Sequence, residues 1–197
     1  MLPVGDPSAL GRPGPHGERP YLVTRNVGRD SGEWHAGADL SNRTGGDTVR
    51  AAAHGIVVSA RDAGNGYGLH VVLAHRLRDG SLVFSVYAHL APRSLRVASG
   101  ELVTMGQPLG RVGRSGTATS PHLHFEVRRP ASWDQRWEKA EALDPVRFVT
   151  LALPTRDQDS TWARPYLAWA ECAGIIEPEE DGRSAVTRQR WWRALAA

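Results

Sequence analysis

Three short segments hold histidines at spacings that could do chemistry. In SPHLHFEVRR (120–129), His122 and His124 stand two residues apart. Residues two apart on a strand share a face. Leu123, Phe125 and Val127 then form an apolar face, and His122, His124, Glu126 and Arg128 a polar one. Two imidazoles on one face can bind a metal or carry a proton, although such a pair alone is more often a solvated strand face. Upstream, WHAGADL (34–40) supplies His35 and Asp39, four apart with Gly37 between them. An imidazole and a carboxylate that close can share one borderline-soft cation, the glycine giving the chain freedom to wrap around it. Taken alone, the same segment reads as a turn in which Asp39 accepts from backbone N–H groups. The third segment is YAHL (87–90). On a strand over 81–90, Leu82, Phe84 and Val86 take one face and Val83, Ser85, Tyr87 and His89 the other. His89 therefore projects from a sheet with an apolar reverse side, a position more commonly held by a hydrogen-bonded surface histidine.

These residues need strands to hold them. From Tyr21 to about Arg129 the chain reads as short β-branched and aromatic runs punctuated by glycine: GIVVSA (55–60), LHVVLAHRL (69–77), SLVFSVYAHL (81–90) and HLHFEVRR (122–129). Asp79-Gly80 marks a tight hairpin between the second and third. No ten-residue helical pattern interrupts the region. The fold class expected is mainly β, an antiparallel and barrel-like sheet domain over 21–150, and not a parallel βαβ fold. Residues 1–20, rich in Pro and Gly, read as an irregular arm. Beyond it the composition shifts, with six of the seven tryptophans after Arg129. Residues 151–160 read as a linker and 161–197 as a small helical C-terminal unit, a hairpin whose first helix stops at Gly174 and whose second starts at Thr187.

Composition bounds the partners. The 197 residues suit one main domain with a small appendage. Residues 21–130 hold 13 Arg against 8 Asp and Glu, and residues 131–197 hold 9 Arg and Lys against 11 Asp and Glu. A basic front half suits an anionic polymer, nucleic acid or cell wall, or is an ordinary solvated surface. No basic run interleaves with aromatics, so no nucleic-acid partner is expected. Cys172 is the only cysteine, which precludes an intrachain disulfide. The first residues show no signal peptide, and no apolar run is long enough to span a membrane.

Taken together, the ordered motifs HAGAD, VRAAAHGIVV, GNGYGLHVVLAH, YAHL, GQPLGRVGRSG and SPHLHFEVR resemble the lysostaphin-type (LytM-like) zinc metalloendopeptidases of bacterial cell walls. The resemblance covers about residues 21–130. It implies an antiparallel β fold with a narrow groove, a Zn2+ ion held by His35, Asp39 and His124, and two catalytic histidines, His89 and His122. Three N/O ligands leave a fourth position for water, as a hydrolytic site requires. The resemblance further implies hydrolysis of peptide bonds in peptidoglycan stem peptides or cross-bridges, and a location in the cell envelope, the periplasm or outside the cell. It does not say which histidine acts as base. Inactive relatives that activate amidases typically lack some of the five residues; all five are present here. The family often has STGPHLHFE where this chain has ATSPHLHFE, with Ala118, Thr119 and Ser120, so the groove wall and the substrate preference are open. His54, His70 and His75 read as structural, His75 standing where the family often has histidine. His16 lies in the arm, and Asp6 is disfavoured as a ligand.

The C-terminal segment 160–195 is similar to a single S-layer homology repeat, which implies a possible second wall polymer as partner; the alternative is a hairpin that buries its tryptophans on the sheet domain. The competing functions are a catalytically inactive wall-binding or amidase-activator protein on the same fold, a zinc peptidase for free peptides, and a phosphocarrier-like barrel with two histidines, which the His35/Asp39 pair disfavours.

Overall fold

The structure, a computed structural model, describes residues 1–151 except Ser31 and Arg78. The helical hairpin expected over 161–197, and all but the first residue of the linker before it, lie outside the described residues. Strands run in the order β1 (Leu22–Arg25), β2 (Gly28–Asp30), β3 (Glu33–His35), β4 (Ala38–Ser41), β5 (Thr48–Arg50), β6 (Gly55–Asp62), β7 (Leu69–Arg76), β8 (Leu82–Ala88), β9 (Leu102–Val103), β10 (Pro108–Arg111), β11 (Leu123–Arg129) and β12 (Glu141–Leu143). A 3-10 turn at Trp137–Lys139 and α1 (Pro145–Leu151) follow β11. Asp144 starts α1 by accepting from the Arg147 backbone N–H at 3.0 Å, with Pro145 in the first helical position.

The fold is mostly antiparallel β-sheet with little helix, as expected. The main sheet runs β1-β4-β11-β8-β7-β6-β9, with β12 on the side of β11, and two small ladders pair β10 with β5 and β2 with β3. β7 and β8 form the hairpin placed at Asp79-Gly80, closed by Leu77 N–H donating to Ser81 O at 2.8 Å.

The central strands are apolar on both faces. Val57, Val71, Leu73, Val83, Tyr87 and Phe125 pack into one cluster, and Ile56, Val58, Val72, Phe84, Val86 and Trp137 into a second. Burial on two sides explains why GIVVSA and LHVVLAH read as continuous apolar runs. Each such side chain contributes about 1.5–3 kcal/mol by leaving water.

The two histidines inside the sheet are hydrogen-bonded. His75 is buried, with Nδ1 2.7 Å from His54 O and Nε2 2.7 Å from Ser85 Oγ; Ser85 Oγ lies 3.0 Å from Tyr87 OH, which accepts from Ala52 N–H at 2.9 Å. His70 is buried between Gly68 O and Ser59 Oγ, each 3.1 Å away. Both histidines are interior, consistent with a structural part for each. Residues 1–20 contain no strand or helix, yet their first part is seated. Leu2 and Val4 are buried, and Arg50 N–H donates to Pro3 O at 2.9 Å. Asp6 closes a local turn, accepting from Ser8 N–H at 2.8 Å and Ser8 Oγ at 2.6 Å.

Candidate metal centre and groove

Register brings the candidate ligands together. In the β4–β11 ladder His124 stands opposite Asp39, on the strand face where their side chains meet. Asp39 Oδ1 lies 2.9 Å from His124 Nδ1. β3 ends at His35, whose Nε2 lies 3.1 Å from Asp39 Oδ1 and 3.1 Å from His124 Nδ1. Among the described residues these three form the group able to hold a metal ion. Gly37 matters here for a reason the sequence did not suggest. A Cβ at this position would stand 2.5 Å from Phe125 O, 2.8 Å from Glu126 Cγ and 3.1 Å from His124 Cε1. Close approach of the β3–β4 link to β11 demands the glycine, rather than freedom to wrap.

The donor set fits zinc. His35 Nδ1 lies 2.8 Å from Asn26 O, a carbonyl that can only accept, so the proton sits on Nδ1 and Nε2 is free to ligate. His124 has the opposite arrangement. Its Nε2 lies 2.8 Å from Glu126 Oε1, which leaves Nδ1 facing Asp39 and His35. Two imidazole nitrogens and a carboxylate oxygen thus converge as lone-pair donors and require a cation among them. Without a metal, a proton serves. Burial alone lowers the His124 pKa, but hydrogen bonds to Asp39 and Glu126 outweigh it and push the value up to about 9. Burial raises the Asp39 pKa, and His124, with charge from His122 and His35, pulls it below the usual carboxylate range.

His89 and His122 flank this cluster. Their rings lie 4.8 Å apart, and His89 lies 5.7 Å from the His124 ring. His122 precedes β11, held by a bridge to Gly113, with Nε2 3.6 Å from Asp39 Oδ1. Its Nδ1 donates to Ser120 O at 2.8 Å, and His89 Nδ1 donates to Ser115 O at 2.9 Å. Alternation along 81–90 groups His89 with Tyr87, but this grouping does not hold. His124 pairs with Ala88, and Tyr87 packs on Phe125, across the sheet from His124. β8 ends at Ala88, and His89 takes a φ of 61°, a left-handed conformation that turns it to the His124 side. Its N–H donates to Tyr67 O at 3.0 Å, which fixes that turn. Burial, then the charges of His122 and His124, lower the His89 pKa to about 4, so it is neutral near pH 7.

The five residues line one groove of about 550 Å³. Its walls include Arg25, Trp34, Asn65, Tyr67 and Thr117–Thr119, and Trp34 is exposed on its rim. The loop of Gly66 and Tyr67 is tied to the loop before β11 by Thr117 N–H donating to Gly66 O at 3.1 Å and Leu69 N–H to Ser115 Oγ at 2.9 Å.

Sequence reasoning assigned no role to three residues at this site. Glu126 and Arg128 stand on the polar face of β11 without one, and Tyr67 lies within the motif GNGYGLHVVLAH. The structure buries Glu126 completely and gives it His124, Tyr67 and Arg128 as partners. The available signal was an acid and an arginine alternating with core residues, a pattern that a solvated strand face shares.

Comparison with known proteins agrees with this architecture. The profile of Peptidase family M23 matches residues 33–145, more than half the chain. Fold and profile together define a peptidase-family domain: the chain belongs to peptidase family M23. The catalytic domain of the antimicrobial peptidase lysostaphin from Staphylococcus simulans superposes with a TM-score of 0.54 and 29% identity, covering 66% of this chain and 92% of that one. The DD-carboxypeptidase/endopeptidase Mpg of Neisseria meningitidis serogroup B is 36% identical over 156 residues, 79% of this chain and 29% of that protein. The murein hydrolase activator EnvC of Escherichia coli K12 is 43% identical over 84 residues, 43% of this chain and 18% of that protein. The chain thus spans less than a third of the length of these two curated relatives. Among the described residues, no helix is long and apolar enough to cross a membrane.

Proposed function

We propose that this chain is a zinc-dependent endopeptidase that hydrolyses peptide bonds in peptidoglycan stem peptides or cross-bridges, in the cell envelope or outside the cell. The peptidase domain is residues 21–150, with His35, Asp39 and His124 as zinc ligands and His89 and His122 as catalytic residues. The observation that carries this reading is the convergence of all five side chains at one groove, each histidine with one ring nitrogen held by a fixed acceptor. Named relatives that are endopeptidases support the substrate class.

When bound, zinc supplies Lewis-acid polarisation and lowers the pKa of water at the site. The chain's own residues do the rest. Asp39 would supply negative charge to the cation, with His35 and His124 as its nitrogen donors. His89 and His122 donate Nδ1–H to backbone carbonyls, so each keeps Nε2 for the substrate side. One neutral Nε2 accepts a proton from the attacking water, and the other ring, as an imidazolium with Nε2–H, stabilises charge on the scissile carbonyl oxygen or gives that proton to the leaving amine. The groove walls align an extended peptide with this pair.

A second reading, a non-catalytic murein hydrolase activator, is favoured by the match to EnvC. The intact set of five residues weighs against it. Digestion of purified sacculi with analysis of released fragments separates the two. Release of peptide fragments that depends on His122 and His124 supports the enzyme, and no release by a zinc-loaded protein supports the activator.

A further inference from the structure

We propose that Glu126, clamped by Arg128 and Tyr67, is a positioning residue that fixes the ring orientation of His124 and thereby sets the zinc affinity of the site. The proposal rests on the zinc reading given above.

The other three groove histidines are oriented by backbone carbonyls, those of Asn26, Ser115 and Ser120. His124 alone of the four is oriented by a carboxylate, and that carboxylate is fully buried. Strand alternation directs the His124 Cβ into the site, but it does not choose between the two ring orientations related by a half-turn about χ2. Glu126 chooses. With Nε2–H towards Oε1 at 2.8 Å, a hydrogen bond forms; after the half-turn a ring C–H would stand there, and a buried carboxylate would lose a partner. A carboxylate acceptor also raises the basicity of the ring beyond what a carbonyl does.

Glu126 is itself held rigidly. Oε1 also accepts from Tyr67 OH at 2.9 Å, and Oε2 accepts from Arg128 Nε. Three further N–H groups of Arg128 meet fixed acceptors: Nη2 donates to Tyr67 OH at 3.1 Å, and Nη1 to Glu138 O and Ala140 O, both at 3.1 Å. The Tyr67 ring meets Trp137 edge-on at 5.5 Å, and Trp137 lies 5.9 Å from the guanidinium carbon. The segment after β11 thus closes over the polar face of that strand, and its backbone carbonyls anchor the arginine that anchors the glutamate.

A merely structural ion pair and a positioning device predict different behaviour for the double variant Glu126→Met/Arg128→Met. Replacing a buried ion pair by apolar side chains of similar volume is often neutral for folding, yet it removes the acceptor from His124. Zinc affinity is measured by chelator competition on the full chain, the imidazole nitrogen shifts of His124 by NMR, and thermal unfolding on the metal-free protein. The double variant is expected to unfold cooperatively near the wild-type midpoint, to bind zinc about tenfold to a hundredfold more weakly, and to lose the protected Nε2–H signal. Tyr67→Phe, which keeps the ring and removes the hydroxyl from Glu126 and Arg128, is expected to weaken zinc binding severalfold. A folded double variant with wild-type zinc affinity overturns the proposal. If the double variant does not fold, wild-type affinity in Tyr67→Phe overturns it instead. Absence of zinc binding by the wild type would sink the zinc reading itself, a result distinct from wild-type binding that the variants leave unchanged.

Discussion

Asp39 stands directly opposite His124 across the β4–β11 ladder, with their side-chain atoms 2.9 Å apart. The pairing separates the two histidines of the HLH segment: His124 sits within the candidate ligand cluster, while His122, ahead of the strand, reaches Asp39 only at 3.6 Å. His124→Ala is expected to lose bound zinc and peptidase activity together. His122→Ala is expected to retain stoichiometric zinc and lose activity by about a hundredfold or more, the range for a general acid or base. Metal analysis alongside sacculus digestion checks both. Full activity in both variants would refute the site assignment.

His89 reaches the groove through a left-handed backbone that an ordinary residue adopts at a cost of about 1 kcal/mol or more. Glycine carries no such cost. His89→Gly is therefore expected to be more stable than His89→Ala by about 1 kcal/mol, with both variants equally impaired in hydrolysis. Denaturant unfolding of the metal-free proteins measures the difference. Equal stability would mean the turn carries no strain.

Gly37 leaves no room for a methyl group between the β3–β4 link and β11. Gly37→Ala must push on Phe125 O and Glu126 Cγ, and a loss of about 1–3 kcal/mol is expected. Because His124 Cε1 is the third contact, zinc affinity should fall as well. Thermal unfolding and a zinc titration on the same preparation test this, and no change in either would show that β4 and β11 separate locally.

Burial lowers the His75 pKa from its ordinary 6.5 to about 4, with the hydrogen bond to His54 O opposing the shift. The unfolded chain therefore takes up this proton before the folded one. Stability from the neutral ring is complete above about pH 6.5 and is lost as pH falls towards about 4, a loss on the order of 3 kcal/mol. His75→Gln should unfold with a weaker dependence on pH across that window, whatever its stability at neutral pH. Parallel pH profiles for wild type and variant, measured metal-free, would exclude His75 as the source.

Much of this site was legible in the sequence because its elements are local. The alternation of HLHFEVRR separates Leu123 and Phe125 from His124 within one strand, and the short spacing of His35 and Asp39 keeps them together whatever surrounds them. The order of the motifs carried the family resemblance, and with it the likeness of His89 and His122 to catalytic histidines. What the tertiary structure decided is non-local or breaks the local rule. Alternation grouped His89 with Tyr87, and a single left-handed residue moved it to the other side of the sheet. Gly37 is required by β11, a strand more than eighty residues away in the chain. Glu126 and Arg128 look like a solvated face until the Tyr67 loop and the Trp137 turn cover them. Strand periodicity states which side chains share a face, because it follows from the backbone of a few consecutive residues. Which segment covers that face depends on contacts between distant parts of the chain, and those contacts turned a polar strand face into a buried brace for His124.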